Sequence, residues 1–378
     1  MADIQNTNTN PSQPVKDKIS LLQAHHDCVS ACILCYDDSV IVTASHDATI
    51  VLWGAQDGSR QEELAGHADR ITDCILEETS HRCDNQFRAR FGWHVYRLLT
   101  ASWDKSVALW DMSGSATNKI WCDSESSLLL SCDFNLSHQL VVAAADSGHY
   151  HVWDVRSGEK VTTVKGHTNT VTCCRFDFGG NNLCTCSMDC RAAVWDIRMW
   201  KHLLKLRDHK HTVSCCAFSH NNHWLLTGSW DTNLHLYNLA DGSFRSQGPV
   251  VLGQHRGCVS SCNFSKDDSL IVSAGYDSNV NVWCNHTHQL RNTYKGHTSW
   301  IKDAKFGKDK KWIVTGDKNG EVRLWDTQAG NESERKGHHM LAGSKTASAA
   351  SVEKCLHKLP FQDRTSETEQ WAVFIVSM

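Results

Sequence analysis

"LLTASWDKSVALWD" (Leu98–Asp111) and "LLTGSWDTNLHLYN" (Leu225–Asn238) lie 127 residues apart and are nearly the same phrase. Each opens with an apolar, β-prone run, breaks at a polar Ser-Trp-Asp turn, and resumes with alternating apolar and polar residues that end near an aromatic. Period-two alternation on either side of a short turn reads as a pair of antiparallel strands. Aligned on that aromatic, the chain holds seven such units, with Trp53, Trp110, Trp153, Trp195, Tyr237, Trp283 and Trp325 in one slot. Their spacings are 57, 43, 42, 42, 46 and 42 residues. A phrase written seven times at near-constant spacing is a building block rather than a site.

Two further slots keep the register. Six residues before the aromatic stand Asp47, Asp104, Ser147, Asp189, Asp231, Asp277 and Asn319. Twenty-two residues before these stand His25, Glu125, His167, His209, His255 and His297; in the second unit His67 precedes Asp104 by 37. The early Gly-His, the late Trp-Asp and the period of 40–45 residues resemble the WD40-repeat family over residues 18–326. The resemblance implies an all-β fold: a seven-bladed propeller with four antiparallel strands per blade. The segment before His25, residues 18–23, matches an outer strand but has no inner strands upstream. It is expected to join the last blade and close the ring.

In that family the early His, a Ser two residues before the Asp, the Asp and the Trp form a hydrogen-bonded set inside the blade. Carried over, complete sets are His25, Ser45, Asp47, Trp53; His67, Ser102, Asp104, Trp110; and His167, Ser187, Asp189, Trp195. Unit five keeps His209, Ser229 and Asp231 but has Tyr237 for Trp. Unit six keeps His255, Asp277 and Trp283 but has Gly275 for Ser. Unit seven keeps His297 and Trp325 but has Asp317 and Asn319 for Ser and Asp. Unit three, with Glu125 and Ser147 for His and Asp, is expected to be the least rigid. A Ser-His-Asp nucleophile is the competing reading of these residues, but an active site needs one copy and not three. No catalytic residue, cofactor or metal is therefore expected.

Composition narrows the functional classes. The 378 residues are 40% hydrophobic, enough for a large core, and the net charge of −4 gives no support for a nucleic-acid partner. No apolar run approaches the ~20 residues of a membrane helix. The N-terminus has no secretory apolar region, so an intracellular protein, cytoplasmic or nuclear, with reduced thiols is expected. Among the 18 Cys, six (Cys32, Cys74, Cys132, Cys174, Cys216 and Cys262) share one slot in successive units and read as small buried residues rather than ligands. Cys184, Cys186 and Cys190 lie closer together but run along a strand into a turn, and the pairs His209/His211 and His286/His288 are weak ligand patterns.

What remains is surface. By the resemblance, the residue before each turn Asp and the flanks of the inner strand face one end of the ring. These positions are His46, Trp103, Asp146, Met188, Trp230, Tyr276 and Lys318, with Arg70 and Thr72 in unit two and Trp300 and Lys302 in unit seven. Aromatic residues with basic neighbours are the composition of binding hot spots. A non-catalytic scaffold binding proteins or peptides, a monomeric ring inside larger complexes, is the expected function. Trp224 falls inside a strand and is expected to matter for stability instead. The phrases "WDVR" and "WDIR" resemble the box of cullin–RING ubiquitin-ligase substrate receptors, which makes Arg156 and Arg198 alternative adaptor contacts. Unit two carries about 15 extra residues near 77–97, rich in Arg and aromatics; an ordinary loop insertion is the plainer reading beside a nucleic-acid or acidic-partner ligand. Residues 1–17 and 327–378 are expected to be mostly disordered tails.

Overall fold

The structure is a computed structural model; it describes residues 21–79, 95–112, 117–122, 127–135 and 137–327. Glu125, most of the insertion in unit two and both tails lie outside these residues. The 28 strands among the described residues form seven antiparallel four-stranded sheets. Blade one is β2 (Val29–Cys35), β3 (Val40–Ser45), β4 (Thr49–Gly54) and β5 (Arg60–Ala65). Blade two is β6 (Ile71–Thr79), β7 (Val95–Ser102), β8 (Ser106–Asp111) and β9 (Thr117–Cys122). Blade three is β10 (Leu129–Asn135), β11 (Leu140–Ala145), β12 (His149–Asp154) and β13 (Lys160–Lys165). Blade four is β14 (Val171–Phe176), β15 (Asn182–Ser187), β16 (Ala192–Asp196) and β17 (Lys201–Leu206). Blade five is β18 (Val213–Phe218), β19 (Trp224–Ser229), β20 (Asn233–Asn238) and β21 (Val250–Gln254). Blade six is β22 (Val259–Phe264), β23 (Leu270–Gly275), β24 (Asn279–Cys284) and β25 (Leu290–Lys295). Blade seven is β26 (Ile301–Phe306), β27 (Trp312–Asp317) and β28 (Glu321–Asp326), completed by β1 (Leu21–Gln23). One short helix, Phe244–Gln247, sits between β20 and β21.

The sequence pattern explains the layering. The second and third strands of each blade are almost wholly buried, from the apolar "TIVLWG" to the alternating "NLHLYN", because both of their faces pack against the neighbouring blades. Outer strands such as "RQEELA" expose most of their residues. The inner strands follow one another around a ring, β2–β6–β10–β14–β18–β22–β26, and β26 packs back on β2. Each blade interface has its own apolar cluster; Leu98, Ile71 and Trp110, for example, pack with blade one. β1 pairs antiparallel with β28, Leu21 against Arg323 and Gln23 against Glu321, so the first strand of the chain closes the last blade and no open edge is left there.

The turn between the second and third strands is built alike in every blade. Its third residue takes a left-handed conformation: Ala48, Lys105, Cys190, Thr232 and Ser278 at φ between 59° and 73°, Gly148 at 80° and Gly320 at 83°. A side chain there costs roughly 1 kcal/mol or more. In the five blades with a non-glycine residue, the preceding Asp offsets this by accepting the backbone N–H two residues on, as Asp47 Oδ1 does from Thr49 at 3.0 Å and Asp231 Oδ1 from Asn233 at 3.0 Å. Blades three and seven lack an Asp in that slot and have Gly148 and Gly320 next, which need no such support.

Candidate functional site

Inside six blades a polar cluster joins the loop before the inner strand, the second strand and the turn that follows it. His25 Nδ1 lies 3.0 Å from Asp47 Oδ2 and its Nε2 2.7 Å from the Thr43 hydroxyl, which accepts from Trp53 Nε1 at 3.0 Å. The same triple recurs at His67, Asp104, Thr100 and Trp110. It recurs again at His167, Asp189, Thr185 and Trp195. Blade six uses His255, Asp277, Trp283 and the hydroxyl of Ser273. One tautomer satisfies every partner: Nδ1–H donates to the carboxylate, and Nε2 accepts from the hydroxyl whose oxygen already accepts from the indole. Burial lowers the pKa of His25 and His209, keeping the ring neutral despite the nearby carboxylate. Against the cost of burial, hydrogen bonds from Thr49, His25 and its neighbours hold Asp47 below the ordinary carboxylate range, and His255 with backbone donors brings Asp277 to about 2.

The hydroxyl ten residues before the aromatic (Thr43, Thr100, Thr185, Thr227, Ser273, Thr315) is the hub of the cluster, a slot that the sequence reasoning missed. The Ser expected in the set does something else. Ser45, Ser102, Ser187 and Ser229 each accept the backbone N–H of the turn Asp and donate to a carbonyl before the inner strand. In blade five, Tyr237 donates to Asp208 at 3.1 Å, while His209 keeps Asp231 and Thr227. Blade seven departs most from the spacing rule. Asn319 occupies the Asp slot, but His297 takes Asp317, two residues earlier, at 3.0 Å, with Thr315 and Trp325 completing the set. Blade three has Ala143 in the hydroxyl slot, and Ser147 faces Ser127 and His149 instead.

One end of the ring is defined by a hydrogen bond repeated in all seven blades. The N–H of His46, Trp103, Asp146, Met188, Trp230, Tyr276 and Lys318 donates to the carbonyl of Cys28, Arg70, Leu128, Thr170, Thr212, Cys258 and Trp300 respectively. These residues and their acceptors form one rim. The turns between first and second strands, and between third and fourth, point the other way in a four-stranded meander, so Arg156 and Arg198 stand on the opposite rim. Both are exposed, with backbone N–H groups held by Asp154 and Asp196 at 2.8 Å.

The rim that carries His46 and its counterparts, here the upper rim, is uneven. Tyr276 and Trp300 stack at 4.7 Å and 9°. Lys302 Nζ donates to the Tyr276 hydroxyl at 3.0 Å and also lies over its ring, while Lys318 Nζ lies 4.5 Å from the Trp300 ring. Burial, and then the Lys302 charge, bring His46 down to about 4, so it is a neutral ring at ordinary pH. His46 tilts against Trp103 at 6.3 Å, and the Arg70 guanidinium sits 4.9 Å over the Trp103 ring. These contacts form two groups of aromatic and basic residues, one across blades six and seven and one across blades one and two. Trp230 stacks on His211 in blade five at 5.7 Å, and Met188 is half-buried in blade four. Trp300, 36% exposed, is the one aromatic ring of this rim among the exposed large hydrophobics. Thr72 is occupied between blades, with its hydroxyl 2.9 Å from the Leu129 carbonyl. Trp224 opens β19 at the opposite end, half-buried and edge-on to His288 at 5.9 Å. Arg82, Arg88, Arg90 and their aromatic neighbours lie outside the described residues, and no described helix is long and apolar enough to cross a membrane.

Comparison with known proteins agrees with this architecture. The model of the WD domain, G-beta repeat, matches residues 16–54, 58–111, 158–196, 200–238, 249–284 and 288–326, leaving β10, β11 and β12 of the third blade between matches. The chain is 24% identical over 155 residues to autophagy-related protein 16 of Arabidopsis thaliana, covering 41% of the chain and 27% of that protein. It is 32% identical over 103 residues to human WD repeat-containing protein 41, covering 27% and 20%. It is 26% identical over 197 residues to zebrafish guanine nucleotide-binding protein subunit beta-5b, covering 44% and 49%. The chain thus spans less than half the length of each of these relatives. Six matched repeats and seven four-stranded blades closed in a ring lead to one conclusion: this chain belongs to the WD40-repeat family.

Proposed function

We propose that the protein is a non-catalytic interaction scaffold whose partner docks on the upper rim across blades six, seven, one and two. The observation that carries this reading is the Tyr276–Trp300 stack flanked by Lys302 and Lys318. An exposed indole braced by a second ring presents rigid apolar area, and the lysines with Arg70 suit a peptide or protein surface bearing carboxylates. The hydroxyl–His–Asp clusters support no turnover, because their hydroxyls are buried and already accept from tryptophan. Relatives that include a G-protein β subunit fit a propeller working inside a complex.

Trp300→Ala should weaken the partner by at least ~30-fold, the loss typical of a hot-spot aromatic, with the melting temperature unchanged. Trp224→Ala should lower the melting temperature instead. A partner that binds the Trp300 variant as tightly as wild type removes the rim assignment. A ligase-receptor role through Arg156 and Arg198 is the second reading, favoured by two exposed turns in which an Asp two residues earlier accepts the Arg backbone N–H. It requires co-purification of the ligase adaptor, lost on Arg198→Ala; wild-type protein that never retains the adaptor eliminates it.

A further inference from the structure

Blades four and five meet through sulfur. Cys184, Cys186 and Cys216 are 0–3% exposed, and their three Sγ atoms lie within 4.8 Å of one another. Cys173 adds a fourth sulfur 3.9 Å from that of Cys216. The arrangement follows from register. Cys173 on β14 is paired with Cys186 on β15, and Cys184 is two residues from Cys186, so all three project from the same face of blade four. Cys216 comes from β18 of blade five and faces them within one apolar cluster.

The other blades show that two of these sulfurs are not required for packing. Eleven residues before the aromatic, where blade four has Cys184, the others carry Val42, Leu99, Val142, Leu226, Val272 and Val314. Nine residues before it, where blade four has Cys186, they carry only Ala or Gly. The Cys216 slot is cysteine in six blades, but among the described residues only Cys216 belongs to a group of three close sulfurs, the other two supplied by blade four. Around a metal with bonds of ~2.3 Å, trigonal or tetrahedral thiolates sit about 3.8–4.0 Å apart, the spacing seen between Cys173 and Cys216.

We propose that Cys184, Cys186 and Cys216 bind one soft, thiolate-preferring d¹⁰ ion, copper(I) or zinc(II), at the interface of blades four and five, with Cys173 placed as a fourth ligand. Three sulfur–metal bonds replace three S–H bonds, and three protons leave to solvent; no electron is transferred. A purely sulfur donor set selects these ions over magnesium, calcium or manganese. The sulfurs are sealed between packed sheets, so the ion enters as the two blades close, and binding adds to the stability of that interface.

The test uses the full chain, folded without oxygen in the presence of zinc(II) or of copper(I), with metal content measured per chain and cobalt(II) as a spectroscopic stand-in for zinc. About one equivalent of zinc or copper and a thiolate-to-cobalt charge-transfer band are expected; which ion survives competition identifies the resident metal. The double variant Cys184→Val/Cys186→Ala installs residues that other blades carry, so its metal-free form should melt like metal-free wild type and hold at least ~10-fold less metal. Cys190→Ser should bind as wild type does. Wild type that retains neither ion and gives no cobalt–thiolate band overturns the proposal, as does full metal content in the double variant. So does a disulfide among these cysteines in protein prepared without oxygen. Should the double variant not fold, the cobalt band and metal content of wild type decide alone.

Discussion

Blades three and seven both lack the turn Asp that the other five keep, and they make up for it differently. Blade seven moves its carboxylate: Asp317, fully buried, reaches His297 from two residues before the usual place and also accepts the N–H groups of Asn319 and Glu321. Blade three carries Ala143 for the hydroxyl and Ser147 for the acid, yet it forms a complete four-stranded sheet with Trp153 and Val141 packed at the interface with blade two. Apolar packing and strand pairing are therefore enough to build a blade. The polar cluster is an added constraint that must be complete where it exists, because each member leaves a buried donor or acceptor behind when removed. Both blades solve the same turn the same way, with glycine at the left-handed position.

The comparison is broken most directly at Asp317. Asp317→Ala takes the acceptor from His297 Nδ1 and from two backbone N–H groups, and should cost about 3 kcal/mol in chemical denaturation. Asn319→Ala, in the slot where the spacing rule looks for the acid, should stay within about 0.5 kcal/mol. Equal losses would restore the slot to Asn319. A step smaller is Thr185→Val in blade four, which keeps the shape but leaves the Trp195 N–H and His167 without their partner, at about 2 kcal/mol. If that variant melts like wild type, the hydroxyl is not the hub. The smallest effects belong to blade three. Gly148→Ala places a Cβ 2.8 Å from the His167 carbonyl at φ +80° and should cost about 1–2 kcal/mol, while Ser147→Ala beside it should change stability by less than about 0.5 kcal/mol. A large loss at Ser147 would show that blade three keeps a cluster of its own.

Much of this is legible in the sequence because a repeat is its own alignment. The seven units, their strands and the closing of the ring by residues just before His25 follow from spacing, and the pairing of Leu21 with Arg323 confirms the closure. The hydroxyl hub is written there too, as a Thr or Ser ten residues before the aromatic in every unit but the third, but the Ser nearer the Asp competes with it for the same role. Asp317 is not legible by position, since a fixed offset cannot show a side chain reaching back from a neighbouring residue. The rim is a third case. Register places its residues at one end, but stacking partners depend on side-chain direction across blades. Hence Trp230 turns to His211 while Tyr276 meets Trp300.

The junction of β1 and β28 has a mechanical consequence. Because Leu21 faces Arg323 while Gln23 faces Glu321, the chain entering β1 and the chain leaving β28 emerge at the same end of an antiparallel pair. Tension between them loads the hydrogen bonds one after another, as in opening a zipper, rather than all at once in shear. With three residue pairs in the seam, β1 is held by a shorter ladder than the six-residue strands that make up the rest of blade seven. A partner or tether that pulls on both ends of the propeller would peel β1 from β28 first, leaving blade seven with three strands that still pack on blade one through β26 and β2.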